Sequence, residues 1–258
     1  MIVRQQSTGP VPPDSKLASF RESYRSREIG MGYNGWVHAL IVLTGSLVSI
    51  GLALSAVQDP TFLELLAIPI TLLIANIVEY FGHRGPMHEP MRGMYALFER
   101  HAKVHHQFFD EQWMSCESSR DHHIVLFPPL MLVFYLGLIA LPLATIVYLT
   151  TTPNRAYLVF ASSVFYYLSY ELFHFTSHVH PQSRIGRLPF VARLREHHRI
   201  HHSHKLMGSH NFNITWPIGD WLFGTAYRDA AKPVETQSFP TTADVGSSPR
   251  HIENRKVA

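Results

Sequence analysis

The chain has a single cysteine, Cys116, among 258 residues. An intramolecular disulfide is therefore excluded, and a reducing compartment is compatible with the sequence. Charged residues are scarce, at 16%. The Lys and Arg flank apolar segments and form no separate basic domain, so the net charge of +3 argues for a membrane surface and against nucleic acid as partner. No flavin or nicotinamide glycine fingerprint is found. A cleaved signal peptide is not expected, because the first apolar block starts at Trp36 after 35 mostly polar residues.

Long apolar runs are abundant. Four blocks qualify as membrane helices: Trp36–Val57, Thr61–Phe81, Ile124–Thr150 and Arg155–Phe175. A helix of about 21 residues rises about 31 Å, enough to cross a hydrocarbon core of about 30 Å. Only Gln58–Pro60 separates the first two blocks, and only Thr151–Asn154 the last two. Each pair therefore reads as a hairpin. All remaining polar sequence then falls on one face, with 21 of the 22 Lys and Arg; Arg155 alone lies on the other. The positive-inside rule makes that face cytoplasmic, with both termini. The expected fold is an all-α integral membrane protein: four transmembrane helices in two hairpins, with a cytoplasmic His-rich helical cap.

Outside the spans, Gln5–Asp14 carries three prolines and reads as a disordered start. Ile185–His204 mixes apolar residues with Arg and His, as an interfacial helix would. Asn211–Tyr227 carries Phe212, Trp216, Trp221, Phe223 and Tyr227, suited to packing at headgroup level. From about Asp229, polar residues dominate and disorder is expected.

Sixteen of the 18 histidines fall in residues 83–123 and 174–210, at or just beyond the ends of apolar blocks. Neutral imidazole is a common ligand of iron and zinc. His198, His201 and His202 share the i, i+3, i+4 spacing of one helix face. His201 and His202 diverge by about 100°, so neighbours can serve two metals while His198 reaches between them. His174 and His178 form an i, i+4 pair, as do His101 and His105, with His106 adjacent. His83 and His88 bracket Gly85-Pro86, which should break the helix and turn both side chains to one centre. Ten ligands suit two metals better than one, since a site takes about four to six.

Glu64, Asn76, Glu79 and Glu171 interrupt the apolar spans. Glu79 precedes His83 by four residues and Glu171 precedes His174 by three. Each can accept a second imidazole N–H and fix the ligand's tautomer. The competing reading pairs such a carboxylate with an Arg such as Arg84. His197 and His204 flank the last box and suit support of its ligands, or the surface, better than ligation. His122, His123, His180 and His210 could line the site or occupy interfacial positions, while His38 and His251 read as incidental.

The boxes His83-Arg-Gly-Pro-Met-His88, His101-Ala-Lys-Val-His105-His106, His174-Phe-Thr-Ser-His178 and His198-Arg-Ile-His201-His202 resemble those of the fatty acid hydroxylase/sterol desaturase superfamily. The resemblance covers roughly residues 65–228 and includes Phe127-Pro128-Pro129 and Gly219-Asp220-Trp221-Leu222-Phe223. It makes 36–228 the catalytic domain, between a polar arm at 1–35 and a tail at 229–258. It implies two iron ions, replaceable by zinc, held by His83, His88, His101, His105, His106, His174, His178, His198, His201 and His202. The second box departs from the family's usual His-x-x-His-His. On an ideal helix His106 lies about 140° from His101, so joint ligation requires a local distortion.

The implied reaction uses O2 to hydroxylate an unactivated C–H of a lipid, first a fatty acyl chain. A sterol, carotenoid or alkyl lipid, and desaturation in place of hydroxylation, are the alternatives. Phe165, Tyr166, Tyr167, Tyr170 and Phe173 are candidates to line a substrate groove or simply to pack. The arm is too short for a haem domain, so a separate ferredoxin or cytochrome-type electron donor is expected on the cytoplasmic face. The rival from another class is a non-catalytic metal carrier or sensor. Against it, transporters place polar ligands near the bilayer midplane, and these span interiors contain no His or Asp.

Overall fold

The computed structural model describes residues 6–228. Gln5, His251 and the tail from residue 229, where disorder is expected, lie outside the described residues. Every regular element described is helical. Helix α1, Lys16–Glu28, is capped by the Ser15 hydroxyl, which accepts from the Ala18 N–H. Buried Arg21 donates to the carbonyls of Phe108 (2.8 Å) and Trp113 (2.7 Å), tying the arm to the end of the helix that carries the second His box and to the loop after it. Residues 6–14 are anchored as well. The Ser7 N–H donates to the Gln112 carbonyl, and Val11 is buried. The expected disordered start is corrected there: backbone bonding and apolar burial outweigh its proline content.

Helix α2, Gly35–Ser55, starts at Asn34, whose side chain accepts from two backbone N–H groups. A Cβ on Gly35 would sit 1.9 Å from the Ser119 carbonyl oxygen, so only glycine permits this approach. Helix α3, Phe62–Met87, opens with a Thr61–Glu64 capping box. Glu64 also accepts from Thr152, and Asn154 exchanges hydrogen bonds with the Gln58 backbone. The two short connections therefore lie side by side, and Glu64 has a structural role. Gly85-Pro86 does not break α3. The helix widens into a π turn over His83–Met87 and ends there.

Helix α4 covers 95–108 and also contains a π turn, Glu99–His105. Helix α5, Ser119–Thr150, is interrupted at 126–128, where Leu126 and Pro128 are extended. Helix α6, Pro153–Ser177, is followed by α7, Pro189–His201, and the short α8, Ile218–Leu222.

Among the described residues, three helices, α2, α3 and α5, are long and apolar enough to cross a membrane. They present bare apolar faces, with Leu52 68%, Leu73 51% and Leu138 72% exposed, as expected of surfaces facing lipid. Helix α6, the fourth expected span, packs against α2, α3, α5 and α7 and is buried over most of its length. That position explains its more polar composition: Ser162, Ser169 and Tyr166 face protein. The aromatic tail divides. Phe212 is fully buried, whereas Trp221 and Phe223 are exposed.

Candidate metal centre

All ten histidines of the four boxes converge, His198 and His201 from α7 itself. His83, His88, His101, His106 and His201 form one group and His105, His178, His198 and His202 a second, each with its candidate ligand atoms within 4.8 Å of one another. In the first, the Nε2 of His83 lies 2.7 Å from that of His101, and the Nε2 of His88 lies 3.0 Å from that of His201. In the second, the Nε2 of His198 is 3.0 Å from that of His202 and 3.1 Å from that of His178. His174 joins this side, its Nε2 3.1 Å from that of His105.

Helix periodicity produces the division. His105 and His106 fall into different groups, as do His201 and His202, as the 100° offset requires. His198 belongs with His202 and does not bridge the groups, which corrects the expectation from spacing. The five-residue pairs use π turns, which place i and i+5 together. His101 and His106 approach to 3.1 Å between Nε2 atoms, and His83 and His88 to 3.3 Å. The distortion that the lengthened second box required is therefore present.

Backbone carbonyls set the tautomers. A carbonyl only accepts, so an Nδ1 facing one must carry the proton. His178 donates from Nδ1 to Met114 O (2.7 Å), His201 to His210 O (2.9 Å), His202 to Phe109 O (2.5 Å) and His105 to Ile124 O (3.3 Å). His83 donates likewise to Phe212 O. In these neutral rings Nε2 is left as a bare lone pair aimed at its neighbours. Burial and neighbouring imidazoles push His101, His105, His106, His178, His198 and His201 well below the ordinary imidazole range, and burial first of all takes His202 to about 3. Converging lone pairs on uncharged rings repel unless a cation lies between them. The donor set therefore fits two metal ions, and all-imidazole ligation suits iron or zinc.

The carboxylates do other work than expected. Glu79 accepts from the backbone N–H groups of Ile214 (2.5 Å) and Thr215 (3.1 Å), from the Thr215 hydroxyl, and from Tyr166. Glu171 accepts from the Phe127 N–H at 3.3 Å. Neither takes an imidazole N–H, and neither pairs with Arg84, which donates to the Tyr80 hydroxyl. Asp220 tethers the tail by accepting from the N–H groups of Phe212 and Asn213 and from the Thr225 hydroxyl. A Cβ on Gly219 would come within 2.6 Å of Asn213 and 2.8 Å of Tyr80, so glycine allows α8 to close on α3.

An apolar cavity of about 290 Å³ runs among α3, α5 and α6 and reaches His83. Tyr166, Tyr167 and Tyr170 line it, as expected of that aromatic stretch. Phe165 instead is exposed, and Phe173 packs against Phe190 and Trp216. His197 belongs to neither group, its Nε2 lying 3.1 Å from Asn213 O. His204 is exposed, His180 faces Thr8 O, and His122 and His123 pack near Trp36 and Tyr33. His38 is buried and bonded through both ring nitrogens, to Tyr33 and to Phe127 O. Its place four residues after Asn34, at a membrane helix start, was the available signal. The carbonyl partners left no sequence signal, because every residue type carries a carbonyl.

The fatty acid hydroxylase family profile matches residues 68–225, more than half of the chain. Comparison with curated protein sequences gave no match. Among solved structures, one described as full-length scs7p with only its hydroxylase domain visible aligns with a TM-score of 0.53 and 21% identity. The alignment covers 76% of this chain and 67% of that one. At that identity the likeness shows the fold.

Proposed function

Because the chain belongs to the fatty acid hydroxylase family, and is thus a di-metal His-box hydroxylase and not a metal carrier, we propose that it hydroxylates an unactivated C–H of a fatty acyl chain with iron as its native metal. The observation that carries this reading is the apolar cavity ending at His83. Its walls, such as Ile74, Val78, Ile139 and Leu143, suit an unbranched hydrocarbon drawn from the bilayer. His83, His88, His101, His106 and His201 would hold one ion, and His105, His174, His178, His198 and His202 the other. With two iron ions bound, the centre would supply the O2 activation and hydrogen abstraction that an unactivated C–H demands.

The protein's own groups perform the rest. The carbonyls of Phe212, Ile124, Met114, Phe109 and His210 hold their imidazoles in the ligating tautomer. Glu79 and Asp220 position the 212–215 segment that carries one of those carbonyls. The cavity walls exclude water from the bound chain and hold it near the reacting centre. Helix α6 serves as the fourth span, 36–228 as one catalytic domain, and the histidine face as cytoplasmic. Basic residues there, including Arg84, Arg92 and Lys205, suit docking of an acidic electron donor of ferredoxin or cytochrome type.

Lipid mass spectrometry on cells with the wild-type protein or a His201→Ala/His202→Ala variant tests this reading. An acyl lipid heavier by one oxygen atom, present only with wild type, is expected. A lipid lighter by two hydrogens would make the reaction a desaturation, and a modified sterol would replace the substrate class. No difference, with a donor supplied, would overturn it.

A further inference from the structure

Phe127 lies where α5 is interrupted, and both its backbone polar atoms are held by side chains from other helices. Its N–H donates to Glu171 of α6 at 3.3 Å. Its carbonyl accepts from Nε2 of His38 of α2 at 2.8 Å. Because that carbonyl only accepts, His38 carries its proton on Nε2, and its Nδ1 accepts from the Tyr33 hydroxyl at 2.7 Å. His38 is 4% exposed, and both ring nitrogens are used. Position 38 also lies outside the family match at 68–225.

The ring that this clamp fixes occupies a sensitive place. It stacks on Tyr170, with centroids 5.6 Å apart and planes 16° apart. Phe127, Tyr170 and Met87 line the apolar cavity, and the same three line the small pocket of about 20 Å³ bordered by His101, His105 and His174. The cavity already touches His83, and a chain advancing from it toward His101, His105 and His174 meets the three side chains that both spaces share. Two of them belong to continuous helices. Phe127 sits in a break in its helix, so its position depends on the bonds to its own backbone.

We infer that His38 and Glu171 are positioning residues which, through the Phe127 backbone, set how far the acyl chain advances and so which carbon is hydroxylated. This rests on the proposed hydroxylase reading. The holoprotein in cells serves for the test, with hydroxyl positions mapped by fragmentation mass spectrometry and metal content measured on purified protein. Phe127→Ala and His38→Ala should shift the ratio of positional isomers in the same direction, by roughly tenfold, the scale on which one methylene-sized contact discriminates. Both variants should keep both metals. His38→Gln, whose amide can donate to the same carbonyl, should restore the wild-type ratio. Glu171→Gln, which still accepts, should disturb it less than Glu171→Ala.

The ratio of isomers does not depend on how much protein folds. An unchanged ratio in His38→Ala and Phe127→Ala, whatever the total yield, would overturn the inference. So would loss of metal from His38→Ala, since that places the residue in support of the metal centre itself. Absence of any oxygenated product from the wild type would instead overturn the functional reading on which it rests.

Discussion

The Nε2 atoms of His101 and His106 lie 3.1 Å apart although five positions separate the residues. The π turn over Glu99–His105 makes this possible, because it carries one residue more than an α turn over the same arc. Lys103, exposed on the outside of this turn, is then dispensable to the geometry. Its deletion yields His-x-x-His-His, which an ordinary α turn presents on one face. The shortened protein should keep two metals per chain by emission spectroscopy. Deleting Ile200 in regular α7 should rotate His201 and His202 by about 100° and remove metal. Equal loss of metal in both deletions would contradict this account.

The four boxes and three of the four apolar blocks were legible, because periodicity and span length are one-dimensional properties. That His201 and His202 can serve two metals followed from helix geometry; the same division of His105 and His106 is seen in the structure. The partners of the imidazoles were not legible. The His83 partner is a carbonyl 129 positions away and that of His202 is 93 positions away. Carboxylates near a box in sequence suggested themselves for that task, but Glu79 and Glu171 point at backbone N–H groups instead. His38 read as incidental because its partners, Tyr33 and Phe127, include a backbone atom in a distant helix break.

His202 approaches His105 and His198 of its own group through Nε2, and its ring stacks on His106 of the other group with centroids 4.3 Å apart. His202→Ala should therefore reduce bound metal while the protein stays in the membrane. Lipid oxidation should fall by at least about a hundredfold, as even the loss of an outer partner costs about 10–100-fold. Metal analysis beside product quantification checks this. Full activity in the variant would remove His202 from the ligand set.

Glu79 stabilises the centre through the chain that it holds. Its carboxylate takes the N–H groups of Ile214 and Thr215, two and three residues beyond the Phe212 carbonyl that orients His83. Glu79→Ala leaves these donors without an acceptor, at a cost of about 1–3 kcal/mol for each group left buried and unsatisfied. The variant should melt at lower temperature and release metal more readily to a chelator than the wild type. Thermal melting in detergent and chelator competition measure the two effects. Unchanged release would confine Glu79 to general stability.

Acid should destabilise the metal-free protein through the same histidines. Burial holds His88 down to about 2 and His202 down to about 3 in the folded state, against about 6.5 for an unfolded imidazole. Between those values the unfolded chain binds protons that the folded chain refuses, so stability falls as pH falls. The contribution is fully present above about pH 6.5 and is lost progressively as pH drops toward the folded values, about 3 for His202. The melting temperature of metal-free protein should therefore decline from pH 7 to pH 5 and change little from pH 7 to pH 8. His202→Asn, which removes a titrating ring while leaving a polar side chain, should flatten that decline. The metal-loaded protein should hold its stability to lower pH, because bound cations compete with protons for the Nε2 lone pairs. Melting curves of both forms across this range decide the point. A decline of equal slope with and without metal would show that other groups govern the acid transition.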